Sequence, residues 1–317
     1  MARQIPGART SRLPRVCVGW AGRAARALTT LFSAAVLAVG ALAVVPAPAR
    51  AEDVITTQEY FSYYHLDQAR AKGYTGKGVT IALIDGTVDT SAPELKGANI
   101  TDKSRCTIEE APAGRSHATA MASYLVAPAY GVAPDATLNT YQMSGSNSTS
   151  AGSCNIGGDR LDTYDQIINQ AIDDGAQIIS ISSSAREDNE AIKWAIARAM
   201  SRGVIIVNSA GNEGKDSNAQ QLSRWSGVVG VSAIAADGSF ADYSSWGNGV
   251  TTAAFGEPFT GRDYETGRIK TTFGTSNAAA ITSGMLALAR QKWPDATANQ
   301  ILQVLTHTGL NPNHEWN

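Results

Sequence analysis

Four polar side chains, spread over almost two hundred positions, carry the chemistry that this sequence can perform. Asp85 ends the apolar run Val79-Thr80-Ile81-Ala82-Leu83-Ile84 and precedes Gly86-Thr87-Val88-Asp89. His117 stands in Ser116-His117-Ala118-Thr119-Ala120-Met121-Ala122. Asn212 lies in Ala210-Gly211-Asn212-Glu213-Gly214, and Ser276 in Gly274-Thr275-Ser276-Asn277-Ala278-Ala279-Ala280. A hydroxyl nucleophile needs a base for its proton, a carboxylate to orient that base, and a donor for the oxyanion that develops. One of each is present, beside small residues that let backbone approach closely. Each has a plainer alternative: Asp85 or its neighbour Asp89 as a turn residue, His117 as a structural histidine, Ser276 as a helix cap, Asn212 as a turn residue. Together, in four separate motifs, they imply hydrolysis through a serine nucleophile.

The elements that must position these groups alternate in type. Val79–Ile84, Gln177–Ser182, Val204–Asn208 and Val228–Ile234 read as strands buried on both faces. Between them Leu161–Asp174 and Ala191–Met200 carry apolar residues at helical spacing, and each stops near a glycine. A further helix is expected over Asn277–Gln291, and Ser116 is expected to cap a helix that begins there. This rhythm predicts an α/β fold: a doubly wound, mostly parallel sheet with helices on both faces. Ligands gather at the carboxyl ends of the strands in such sheets. Asp85 and Asn212 fall just past strand ends.

The chain has 317 residues and a formal charge of −2. Residues 1–51 read as an export signal: a basic leader without acidic residues, an apolar run over Leu28–Val45, and Ala49-Arg50-Ala51 as the cleavage site. The alternative is an uncleaved leader acting as membrane anchor. Residues 52–76 form an N-terminal arm, and 77–317 a single large domain. Without the leader's seven arginines the charge falls to −9, which disfavours nucleic acid as a partner and suits a soluble secreted protein without a stable membrane span. Cys106 and Cys154 then form an even pair. The expectation is one disulfide, worth about 4 kcal/mol in the chain-entropy picture, against two free buried thiols. Neither cysteine has a second ligand at metal-binding spacing. No Gly-x-Gly-x-x-Gly turn follows the first strand, so a nucleotide-binding reading of the sheet has little support. The sequence leaves the oligomeric state open.

Over residues ~75–305 these motifs resemble those of the subtilisin-like serine peptidases, the subtilases, in which the order Asp, His, Ser is established. The resemblance implies a secreted endopeptidase with Asp85 as orienting carboxylate, His117 as base, Ser276 as nucleophile and Asn212 as oxyanion donor; Gly131-Val132-Ala133-Pro134 matches a further family stretch. It also implies that Ser182, Ser183 and Ser184 stand where the family's Ser-Leu-Gly strand pairs with an extended peptide substrate. Several positions depart from the family pattern. Asp-Ser/Thr-Gly is Asp85-Gly86-Thr87, His-Gly-Thr is His117-Ala118-Thr119, and the proline of Ser-Met-Ala-Ser-Pro is Ala280. These departures motivate the alternative of a catalytically weak or inactive fold that binds peptides. No cofactor or metal is expected. The calcium loop after the histidine helix is shortened, and Glu94 supplies one donor where calcium needs six to eight. The 26 or so residues before the domain are too few for a folded propeptide. The chain reaches Glu315-Trp316-Asn317 before the family's closing Tyr-Gly-x-Gly strand, as a truncated or shortened form would.

Overall fold

A computed structural model describes residues 54–143, 152–183, 189–216, 221–263 and 266–307. Ser184, the leader and the last ten residues lie outside the described residues. Two short helices, α1 (Glu59–Tyr63) and α2 (Leu66–Ala71), precede β1 (Thr80–Asp85), β2 (Ile100–Asp102) and α3 (Pro112–Val126). Then come β3 (Thr137–Gln142), a small hairpin of β4 (Asn155–Ile156) and β5 (Asp159–Arg160), α4 (Tyr164–Asp173), β6 (Ile178–Ile181), α5 (Glu190–Ser201) and β7 (Ile205–Ser209). The chain continues through β8 (Val228–Ile234), β9 (Val250–Phe255), the hairpin strands β10 (Phe259–Arg262) and β11 (Ile269–Thr272), and helices α6 (Thr275–Lys292) and α7 (Ala298–His307).

Seven strands form one sheet in the order β2-β3-β1-β6-β7-β8-β9, and every pairing in it is parallel. Side chains alternate across the sheet because strand geometry has period two. Ile81 and Leu83 of β1 pack with Ile178, Ile205 and Val207 against α3 and α6 on one face. Ala82 and Ile84 pack with Ile179, Ile181 and Ile206 against α4 and α5 on the other. The expected α/β architecture with helices on both faces is the one observed.

The arm over 54–76 belongs to the first of these cores. Tyr60 and Leu66 are buried in it, and the Tyr60 hydroxyl donates to Tyr130 O at 2.9 Å. Gln58 pairs with the backbone of Thr260 in both directions, at 2.7 and 2.9 Å. Cys106 and Cys154 are bonded, with Cα atoms 5.6 Å apart. The bridge, with Gln142 of β3 accepting from Ile108 N at 2.8 Å and donating back to Ile108 O, fastens the strap over 106–110 to the sheet.

Three helix starts differ from the sequence expectation. α4 begins at Tyr164, three residues after Leu161. α3 begins at Pro112, whose fixed φ suits a first helical position, so Ser116 lies inside the helix and Ala111 precedes it. α6 begins at Thr275, with Gly274 as the residue before it, so Ser276 is in the first turn and is not the cap.

Candidate active site

β1 stops at Asp85 because the chain must turn away from the sheet there, and its side chain is fully buried. Asp85 Oδ1 accepts from Gly86 N at 2.7 Å and lies 3.0 Å from His117 Nδ1. The imidazole comes from the second turn of α3 and is 23% exposed, so one edge reaches solvent. Burial works to lower the His117 pKa. The Asp85 charge and its hydrogen bond outweigh that, with a smaller contribution from Glu110, and the pKa stands above the ordinary histidine value. Asp89, the rival carboxylate, accepts from Ser91 N and Ser91 Oγ at 3.0 and 2.6 Å, which is turn chemistry.

Ser276 is carried by the first turn of α6, where unpaired backbone N–H groups and the helix dipole favour a negative oxygen. Its hydroxyl donates to Ser182 O at 2.7 Å, just past the end of β6. Among the described residues no hydrogen bond joins Ser276 to His117. Asn212 follows β7, and its amide orientation is determined by its neighbours. Thr275 N, which can only donate, lies 2.8 Å from Asn212 Oδ1, and the Thr275 hydroxyl donates to the same oxygen at 3.0 Å. The Nδ2 donor is thereby turned away from these contacts. A Cβ on Gly274 would come 3.2 Å from that Nδ2, and Gly274 has φ of 153°, so the close approach depends on glycine.

Thr275 is a residue that motif reading missed. It is buried, and its Oγ1 also accepts from Gly211 N at 3.1 Å, tying the β7 exit to the start of α6. A threonine directly before a candidate nucleophile was the available signal. Ser182 and Ser183 are both buried. The Ser183 hydroxyl pairs with Tyr164 at 2.8 Å, and its carbonyl accepts from Asn208 Nδ2 at 2.9 Å. Thus Ser183 is stitched into the protein, while Ser182 O faces the Ser276 hydroxyl. Glu94 bonds Arg262 Nη2 at 2.5 Å and Ile55 N at 3.2 Å, so its carboxylate is already neutralised within the fold. Among the described residues no group of three or more His, Cys, Asp or Glu side chains could hold a metal ion.

The carboxyl ends of β1, β6 and β7 therefore bring an Asp–His pair, a serine at a helix N-terminus and an oriented amide to one rim of the sheet. A thermostable alkaline protease of Halalkalibacterium halodurans is 28% identical over 258 residues, covering 78% of this chain and 66% of that relative. The major intracellular serine protease of Bacillus subtilis is 30% identical over 239 residues, covering 69% of this chain and 70% of that relative. Among solved structures, the MycP3 protease from the type VII (ESX-3) secretion system is similar in fold, with a TM-score of 0.63 and 24% identity over 80% of this chain and 82% of that one. The PatG macrocyclase domain gives 0.64 at 20% identity over 76% and 85%. The family model of the subtilases matches residues 76–316, and the chain belongs to that family.

Proposed function

We propose that this protein is an exported serine endopeptidase that cleaves peptide bonds through an acyl-enzyme. The observation that carries the reading is the Asp85–His117 pair at 3.0 Å on the same rim as a serine in the first turn of a buried helix. Ser276 Oγ attacks the scissile carbonyl carbon, and its proton passes to His117 Nε2. Asp85 stabilises the imidazolium that results and holds Nδ1–H inward. The carbonyl oxygen, now negative, takes hydrogen bonds from Asn212 Nδ2 and the Ser276 N–H. His117 returns the proton to the departing amine. Water, deprotonated by the same base, then releases the acid product and restores the hydroxyl.

In the free protein the Ser276 hydroxyl is engaged by Ser182 O. An extended substrate running along Ser182–Ser184 offers its own N–H to that carbonyl, which frees the hydroxyl to turn to His117. The exchange replaces one hydrogen bond by another and costs about 1 kcal/mol at most. Export is supported by the basic and apolar leader in the sequence and by the Cys106–Cys154 bond, which belongs to an oxidising compartment. Among the described residues no helix is long and apolar enough to cross a membrane. The charge of −9 without the leader supports a peptide rather than a nucleic acid as the bound chain.

The second reading is a weak or inactive fold that binds peptides. It is favoured by the Ser276 hydroxyl pointing to Ser182 O and not to the base. A fluorophosphonate probe on the purified chain separates the two. Labelling at Ser276, abolished in Ser276→Ala, is expected. Folded protein that binds peptides but takes no label at Ser276 overturns the peptidase reading.

A further inference from the structure

Beside the Asp85–His117 pair lies another acidic side chain, to which the reaction described above assigns no step. Glu110 is buried, and its Oε2 accepts from Thr87 N at 2.6 Å. Asp85 Oδ1 accepts from Gly86 N at 2.7 Å. Two consecutive amides of the turn that ends β1 thus each hold one carboxylate. Each acid also keeps one oxygen buried without a hydrogen-bond partner among the described residues, Asp85 Oδ2 and Glu110 Oε1. Buried oxygens of this kind are costly, and they persist where the surroundings enforce the arrangement.

What enforces it here is visible on both sides. A Cβ at residue 86 would lie 2.1 Å from Glu110 Oε1 and 2.5 Å from Oε2, so the carboxylate occupies space that only a glycine leaves open. The strap that carries Glu110 is held at its start by the Cys106–Cys154 bond and in its middle by Gln142. It runs directly into α3, the helix that bears His117. The hydroxyl that the family pattern places beside the aspartate is displaced to Thr87, and the glutamate fills the space so released.

We propose that Glu110 is a positioning residue of this active site, a second carboxylate admitted by Gly86 that acts on the reaction through the Asp85–His117 pair. The proposal rests on His117 being the base. When Ser276 yields its proton, the imidazolium forms close to two negative groups and not one. The charged groups that face Glu110 are Asp85 at the end of β1, His117, and Arg115 on the first turn of α3. Burial first, then the Asp85 charge, hold the Glu110 carboxyl above its ordinary range, while the Thr87 amide and Arg115 work the other way. Glu110 in turn adds to the upward shift of His117.

The sign of the effect follows. Neutral imidazole is the active base, so catalysis falls as pH drops through the His117 pKa. Removing the Glu110 charge disfavours imidazolium, which moves that midpoint to lower pH. The measurement is an NMR titration of the His117 ring in the full chain carrying Ser276→Ala, with His117→Asn to assign the resonance. Glu110→Gln keeps an oxygen for Thr87 N and should lower the midpoint. Gly86→Ala forces the carboxylate out of its cradle and should lower it too, and the two changes combined should give little more than either alone. An unchanged or raised midpoint in Glu110→Gln overturns the proposal, as does a full additive shift in the double variant. Because this readout needs no hydrolysis, it stands apart from the fluorophosphonate test. Label without a shift rejects the role of Glu110, and a shift without label rejects the peptidase.

Discussion

Replacing Thr275 by valine tests whether Asn212, the proposed oxyanion donor, is oriented by the network that the structure shows. The two side chains have nearly the same volume, so no cavity is created and only the hydroxyl is lost. That hydroxyl makes two bonds, donating to Asn212 Oδ1 at 3.0 Å and accepting from Gly211 N at 3.1 Å, in a residue that is 1% exposed. Losing the first removes about 1 kcal/mol, and leaving the buried Gly211 N–H unpaired adds about 1–3 kcal/mol, so folding stability should fall by roughly 2–4 kcal/mol. Catalysis should suffer less. Thr275 N still holds Asn212 Oδ1 at 2.8 Å, so the amide keeps one of its two anchors. Losing the donor altogether costs about 2.7–4 kcal/mol of barrier, a figure established for this family's own donor. Losing half of its anchorage should cost about 1 kcal/mol, roughly fivefold in kcat, with KM little changed. The assay is steady-state cleavage of a peptide substrate by wild type, Thr275→Val, Asn212→Ala and the double variant, with thermal melts of each. If the reasoning holds, the valine loses its effect on kcat once Asn212 is alanine. An equal kcat penalty in both backgrounds would show that Thr275 acts by another route, and an unchanged melt would show that the Gly211 bond contributes nothing.

The strap and the arm give further tests. Cys106→Ser with Cys154→Ser removes a link across 48 residues; the chain-entropy relation predicts a loss of about 4 kcal/mol, read as a lower denaturation midpoint. The same loss should follow reduction of the wild type. Arg262→Ala leaves the buried Glu94 charge without its partner, which should destabilise the fold by about 3–5 kcal/mol in denaturant titration. Pairing it with Glu94→Gln should recover a large part of that loss; a double variant as unstable as the single would show that packing of the arginine stem matters and charge does not.

Strands buried on both faces were legible because the requirement leaves few residue types. β1, β6, β7 and β8 each fell within one or two residues of the apolar runs that announced them. β3 was not legible. Its sequence Thr137-Leu-Asn-Thr-Tyr-Gln reads as polar, yet Leu138 enters one core and Tyr141 the other. Its polar positions are partly accounted for by partners far along the chain. Gln142 takes Ile108 and the Ser104 hydroxyl, and neither bond leaves a trace in local pattern. β9 was missed for a simpler reason: four of its six residues are not buried, and two alanines and two threonines break the run of large apolar residues that marks the inner strands. The start of α3 was misplaced because a serine four residues inside the helix looks like a cap, while Pro112 at the first helical position was the better signal.

The site shows the same division more sharply. Asp85, His117, Asn212 and Ser276 each sit in a short motif whose neighbours are dictated by backbone needs, so sequence alone placed Asp85, Asn212 and Ser276 close to element ends, while His117 lies a turn deeper in its helix than expected. What orders them is non-local: Thr275 reaches 63 residues back to Asn212, and Ser276 reaches 94 residues back to Ser182. Gly86 is the instructive case. As a sequence feature it is a missing hydroxyl beside the aspartate, and it argues for a weakened site. In three dimensions it is the space that Glu110 fills, 23 residues from the Thr87 amide that its carboxylate grips. A small residue records that something must come close without recording what comes. If Glu110 acts as proposed, the loss visible in the motif and the carboxylate invisible to it bear on the same base, and the His117 titration in Glu110→Gln reads their combined effect.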